Sequence, residues 1–170
     1  MANTIEQILL PEEAQFLGSS FPQFTRKLGS AFPVSSLAYD ASSDESAFWV
    51  FRALNYGSGS ITLTLDWYAD TATSGTVVWE AQLAAVTPED DSQDVETKPL
   101  DTLNFIQDTH LGTTGQRLHR ASITLANVNS LAAGDLCWLR VARDANATNA
   151  TDSASGDAHL VSVTVSYSDT

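Results

Sequence analysis

A chain of 170 residues has single-domain length, enough to bury about two-thirds of its unfolded surface without a covalent staple. It carries 21 acidic against 8 basic side chains, a formal charge of −13, and has an isoelectric point near 4.2. Such a surface repels polyphosphate, and no basic stripe interleaved with aromatics offsets it, which argues against nucleic acid as a direct partner.

The first ten residues, Met1 to Leu10, have neither a basic start nor a long apolar core, so they do not read as a signal peptide. No window is apolar for long enough to span a bilayer, and the expectation is a mature protein equal to the encoded one, made in a cytoplasm. Residues 1–30 read as an extended N-terminal arm, interrupted by Pro11, Gly18, Pro22 and Gly29. Its isolated apolar residues, Phe16, Leu17, Phe21, Phe24 and Leu28, need a surface to lie on, either the body of the same subunit or a neighbour. Arg26 and Lys27 make the arm less acidic than the rest, and the functional expectation is an arm that clasps another subunit.

Residues 31–170 read as one β-sandwich domain. Val34–Tyr39 is a candidate strand, and Ala47–Leu54 is a stronger one, apolar on both faces except at Arg52, as befits a strand buried on both sides or lying at a subunit contact. Gly57-Ser58-Gly59-Ser60 turns the chain into the central stretch. There Ile61, Leu63, Leu65 and Trp67 share one face, Val77, Trp79, Ala81 and Leu83 share another, and the two runs are expected to pair as a hairpin. The run Thr87–Pro99 holds five carboxylates and two prolines, the composition of a solvated loop. It lacks the Asp-x-Asp-x-Asp-Gly spacing and closing Glu of a calcium loop, so no metal is expected. Leu100–Ile106 reads as a strand or a short helical turn. Ala121, Ile123 and Leu125 alternate inward from His119, Arg120 and their neighbours. In Leu136–Arg143, Cys137, Leu139 and Val141 take one face and Trp138 with Arg140 the other. Cys137 has no partner for an internal disulfide and reads as a small core residue. An acidic-polar loop, Asp144 to Asp157, holds the overlapping sequons at Asn146 and Asn149, read as polar loop. It leads to a last strand in which Val161, Val163, Val165 and Tyr167 alternate with serine and threonine. Eight or nine strands and no sustained helical period specify an all-β fold, an antiparallel two-sheet sandwich.

No constellation in the chain points to a reaction, and neither a catalytic residue nor a cofactor is expected. His110, His119 and His159 lie in separate segments, without metal-ligand spacing or a nucleophile motif, and read as turn or strand-surface residues. Asp66 and Glu80 point outward from the two central runs and would form an acid and base pair only if they shared one sheet face and a cleft. Trp67 and Trp79 fall on inward registers, which leaves Trp49 and Trp138 as the tryptophans that could meet a sugar or anchor a protein contact.

Three stretches carry a resemblance: Leu65–Glu80, Leu131–Asp144 and Gly156–Val163 resemble small structural proteins of tailed bacteriophages and prophages. The resemblance covers roughly residues 60–168 and leaves the arm outside it. It implies a jelly-roll-like virion protein, most nearly a head decoration (cement) protein on the capsid surface, binding the major capsid protein as a homotrimer. On that reading Phe16, Phe21, Phe24, Arg26, Lys27, Trp49, Arg52, Trp138 and Arg140 are the candidate interface residues. A tail or head-fibre component is the structural alternative. A carbohydrate-binding module, which needs an exposed Trp49 or Trp138, is the alternative of another class, and an enzyme comes third.

Overall fold

The computed structural model describes every residue except Met1, Ala72 and Thr113. Among the described residues there are ten strands: β1 (Thr4–Leu9), β2 (Gln23–Leu28), β3 (Pro33–Tyr39), β4 (Glu45–Arg52), β5 (Ile61–Ala69), β6 (Thr76–Val86), β7 (Asn104–Thr109), β8 (His119–Leu125), β9 (Leu136–Arg143) and β10 (Ala158–Ser168). They form two antiparallel sheets, a six-stranded one in the order β2-β3-β10-β5-β8 with β1 also on β10, and a four-stranded one in the order β4-β9-β6-β7. The all-β two-sheet sandwich expected from the alternating pattern is therefore the fold.

The inward registers follow the sequence period closely. Ile61, Leu63, Leu65 and Trp67 from the six-stranded sheet meet Val77, Trp79, Ala81 and Leu83 from the four-stranded one, all at most 1% exposed. Trp79 is the hub: its ring lies edge-on to Tyr39 at 5.1 Å and to Trp67 at 6.0 Å between centroids. Cys137 is fully buried, and burial pushes its thiol up to about 12. A thiol reagent at pH 8 should therefore leave the native protein unlabelled and modify Cys137 only as the chain unfolds; stoichiometric labelling of the native fold would contradict this core position.

Three expectations need correction. The runs 61–67 and 77–83 are not a hairpin, because β5 pairs with β10 and β8 while β6 pairs with β9 and β7. The connection at 70–75 is an arch that carries the chain from one sheet to the other, so the two apolar faces meet across the interior. Gly75 closes this arch at φ 99°, where a Cβ would lie 2.7 Å from the Ser153 carbonyl oxygen, so a side chain is excluded there.

The segment 1–30, expected as an arm, is extended but built into the body of its own chain. β1 lies antiparallel on the C-terminal half of β10, and β2 lies on β3. Between them Gln15 exchanges two backbone hydrogen bonds with Phe48, at 2.8 and 2.9 Å, and the Ser46 N–H donates to the Ser20 carbonyl at 3.0 Å, which closes the β4 edge. Unpaired edge groups of β4 find partners inside the same chain, and this is the physical reason the segment does not project.

The third correction concerns Leu100–Ile106, which is neither wholly a strand nor a turn: regular pairing begins at Asn104 and runs to Thr109 as the edge strand β7.

Candidate functional site

The outer face of the six-stranded sheet holds a floor of polar side chains that are unusually well fixed. β3 pairs with β10 at Ala158–Leu160 and β1 takes over at Val163–Ser168, along the same edge of β10. At the seam the register of β10 against β5 shifts between Leu160 and Ser162, a bulge that turns Val161 out of the core. Beside it His159, 3% exposed, stacks on Tyr68 with centroids 4.7 Å apart and planes 15° apart. Nδ1 of His159 is hydrogen-bonded to Ser36 Oγ at 3.0 Å, and Ser36 Oγ is 2.9 Å from Thr25 Oγ1. Strands β2, β3, β5 and β10 thus each contribute one side chain to a single network.

This floor opens on a groove of about 710 Å³, lined by Lys27, Leu28, Phe32, Tyr68, Asp70, Gln116, Leu118 and Val161 among others. Its rim is apolar and accessible, with Leu28 87%, Phe32 68% and Leu118 61% exposed. At one side the Lys27 ammonium donates to the Asp70 carboxylate at 2.8 Å, and the Gln116 amide donates to the Asp70 carbonyl oxygen at 3.3 Å. The hydrogen bond from Lys27 holds the Asp70 carboxyl below its usual range and, reciprocally, raises the Lys27 ammonium. Both groups therefore stay charged at neutral pH. A concave, largely apolar surface with a few converging charged and amide groups suits a small polar ligand with a hydrocarbon face.

The three histidines are buried and not surface residues, at 5% for His110, 4% for His119 and 3% for His159. His110, just past the end of β7, and His119, at the start of β8, come together at 4.7 Å between centroids, and His119 also stacks on Trp67 at 4.3 Å. Their positions 110 and 119 in the sequence flank a crossing between the two sheets, and this juxtaposition leaves no trace in spacing. Burial lowers the pKa of both His119 and His159. A folded-state pKa below the ordinary 6.5 means that the unfolded chain binds more protons below that pH, so stability is full above it and falls as acid is added through the window beneath. The thermal midpoint should drop between pH 7 and pH 5, and the drop should shrink in a His119→Gln, His159→Gln variant; equal slopes in the two proteins would refute it.

The interface residues expected from the sequence are scattered. Trp49 is 1% exposed and its indole N–H donates to the Leu10 carbonyl at 2.8 Å; it sits on the Ala47-Trp49-Phe51 register of β4, which faces the core, and is closed to any partner. Trp138 does face outward. It lines a second, smaller groove of about 390 Å³ on the four-stranded sheet with Gln15, Phe16, Phe48, Glu96 and Lys98. Phe16 and Phe21 lean together at 5.3 Å, each more than 40% exposed, while Phe24 and Arg26 are exposed on β2 and Lys27 enters the large groove. Arg52 donates to the Gly134 carbonyl at 2.7 Å and Arg140 pairs with Glu80 at 3.2 Å. Asp66, by contrast, is clamped by Arg120 at 2.7 and 3.0 Å on the other sheet. Asp66 and Glu80 therefore lie on opposite outer faces of the sandwich, each with its own arginine, and cannot act as an acid and base pair. In the acidic run Asp90, Asp91 and Asp94 stay in a turn-rich segment, where Asp90 and Asp94 cap backbone N–H groups of residues 92 and 96. Tyr68, Asp70, Phe32 and Gln116 were not singled out by the sequence, because they come from three segments that meet only in the fold.

No family model matches the chain, and no curated protein matches it in sequence. Among solved structures it is similar to CBM35 from Cellvibrio japonicus Abf62, at 15% identity and TM-score 0.46, over 95% of this chain and 92% of that one. It is also similar to TmCBM27, a carbohydrate-binding module of specific mannan recognition, at 13% identity and TM-score 0.47, over 97% and 98% of the two chains. A further likeness is to a structure of infectious bursal disease virus, Gx strain, at 6% identity and TM-score 0.37, where the match spans 98% of this chain and 32% of that one. At such identities and scores the likeness concerns sandwich architecture and not ligands. The expectation of a tailed-phage head decoration protein is corrected on the fold itself: the segment expected to reach a capsid is hydrogen-bonded into its own sheets.

Proposed function

We propose that this chain is a carbohydrate-binding module that holds a neutral glycan in the groove of the six-stranded sheet without turning it over. The observation that carries the reading is the pairing of an exposed apolar rim, Phe32 with Leu28 and Leu118, with the charged pair Lys27–Asp70 on a floor fixed by His159 and Ser36. A pyranose presents C–H faces and hydroxyls together. Its C–H faces suit the ring of Phe32 and the side chain of Val161, and its hydroxyls suit an ammonium, a carboxylate and an amide, where charge-assisted hydrogen bonds are the strong ones. A formal charge of −13 disfavours polyanionic glycans.

The test is a glycan array followed by calorimetric titration with mannohexaose and β-1,4-galactotriose, oligosaccharides held by two of the structural neighbours, as first probes. Phe32→Ala and Asp70→Ala should each weaken an array hit at least tenfold, about 1.4 kcal/mol, while Phe32→Ala, at an exposed position, leaves the melting temperature unchanged. Binding lost in Trp138→Ala and kept in the other two would move the site to the opposite sheet, and an array with no hit would end the reading.

A further inference from the structure

The polar floor beneath the groove has more structure than a binding surface needs, and its centre is a group whose charge can change. His159 both stacks on the Tyr68 ring and is hydrogen-bonded to Ser36, so it links the groove wall formed by β5 to the hairpin of β2 and β3. We infer that His159 is the positioning residue of this groove, holding Tyr68 in place as a neutral imidazole, and that protonation of its ring releases Tyr68 and dismantles the floor. The inference concerns the regulation of the site in the proposed function and rests on that reading for its biological use, but the device exists or fails independently of any ligand.

The surroundings of the imidazole give the direction. Ser36 Oγ, fully buried, is 3.0 Å from Nδ1, and Thr25 Oγ1 lies 3.5 Å from the same nitrogen. The charged groups facing the ring are Lys27 from β2, Asp70 just beyond β5 and Asp157 just before β10, and Tyr68 is the remaining titratable neighbour. Asp70 is engaged by Lys27 at 2.8 Å and by Gln116, and no carboxylate hydrogen-bonds to His159. A proton added to this ring thus enters a site 3% exposed, where burial opposes the charge most, Asp70 and Asp157 favour it and Lys27 opposes it, and no hydrogen-bonded counter-charge is present. Water is the better host for that imidazolium, and turning the ring out toward it breaks the stack on Tyr68. Burial, which depresses the basicity of His159, acts in the same sense. Tyr68 and the Lys27–Asp70 pair line the groove, so the change is transmitted to the ligand site without an intervening element.

The experiment is a pH titration of the ligand-free protein from 7.5 to 5, following the His159 imidazole and Tyr68 ring resonances by NMR, in the wild type and in His159→Phe. Phe keeps a flat ring against Tyr68 and cannot titrate. Tyr68 ring resonances that move with the His159 midpoint in the wild type and stay fixed in His159→Phe are the expected result. A Tyr68 ring that does not follow His159, or that shifts equally in His159→Phe, overturns the inference. His159→Phe also separates this effect from the His110 and His119 pair, which it leaves in place. Failure of every glycan to bind at pH 7.5 counts against the proposed function alone, since the NMR readout uses no ligand.

Discussion

Asp152→Ala should be among the most damaging single substitutions in the chain, lowering stability by about 3–5 kcal/mol. The side chains of Arg143 and Asp152 are 0% and 1% exposed, and the guanidinium grips the carboxylate through two hydrogen bonds of 2.9 and 2.7 Å. The remaining donors reach the carbonyls of Ala154 and Gly156, both at 2.9 Å, and of Tyr39 at 3.3 Å. One side chain therefore ties β9, the loop before β10 and the end of β3, and so joins the two sheets. Asp152 also accepts the Val78 N–H at 3.0 Å. Truncating it leaves a buried guanidinium with carbonyl partners and no counter-charge, which costs more than the pair itself contributes. For a domain of this size the loss corresponds to a fall of roughly 6–20 °C in melting temperature. An Arg143→Met, Asp152→Leu double variant should recover much of the loss, because it removes the stranded charge. A melt of Asp152→Ala within about 2 °C of wild type would show that water reaches the guanidinium and that the loop is not held by it.

Trp67→Ala should cost a comparable amount, about 3–5 kcal/mol, through cavity formation. The indole is fully buried, lies edge-on to Trp79 across the sandwich, is covered on one side by His119, and donates its N–H to Asp108 at 2.8 Å. It is thus the point where β5, β6, β7 and β8 converge, and neighbours from two sheets cannot collapse together to fill the space. Trp67→Phe separates the contributions. It retains a ring between His119 and Trp79 and loses the Asp108 bond, and should cost about 1–2 kcal/mol in urea unfolding. Equal losses for Phe and Ala would place the stabilisation in the hydrogen bond to Asp108 and not in ring packing.

The core was largely legible from a period of two. Ala121, Ile123 and Leu125, and likewise Cys137, Leu139 and Val141, face inward as alternation requires, and all are at most 3% exposed. Val161 breaks the rule, since the bulge between Leu160 and Ser162 adds a residue and sends it outward while Val163 and Val165 stay buried. Trp49 and the three histidines were misplaced for a related reason. A strand apolar on both faces gives no indication of which face is covered, and imidazole spacing along the chain says nothing of distance across a sandwich. The groove was the least legible part, because Lys27, Phe32, Tyr68, Asp70 and Gln116 have no sequence pattern in common.

Residue order along each strand thus sufficed for the strand class, the lack of any α-helix among the described residues and most of the interior, because side-chain direction in extended backbone depends only on parity. Which strand lies beside which was settled in three dimensions. Backbone hydrogen bonds are blind to side-chain identity, so a run such as 61–83 is equally consistent with a hairpin and with the arch that forms. That choice sends β5 and β6 into different sheets, leaves the edge of β4 for residues 15–20 to close, and brings four distant segments to one outer face as a groove.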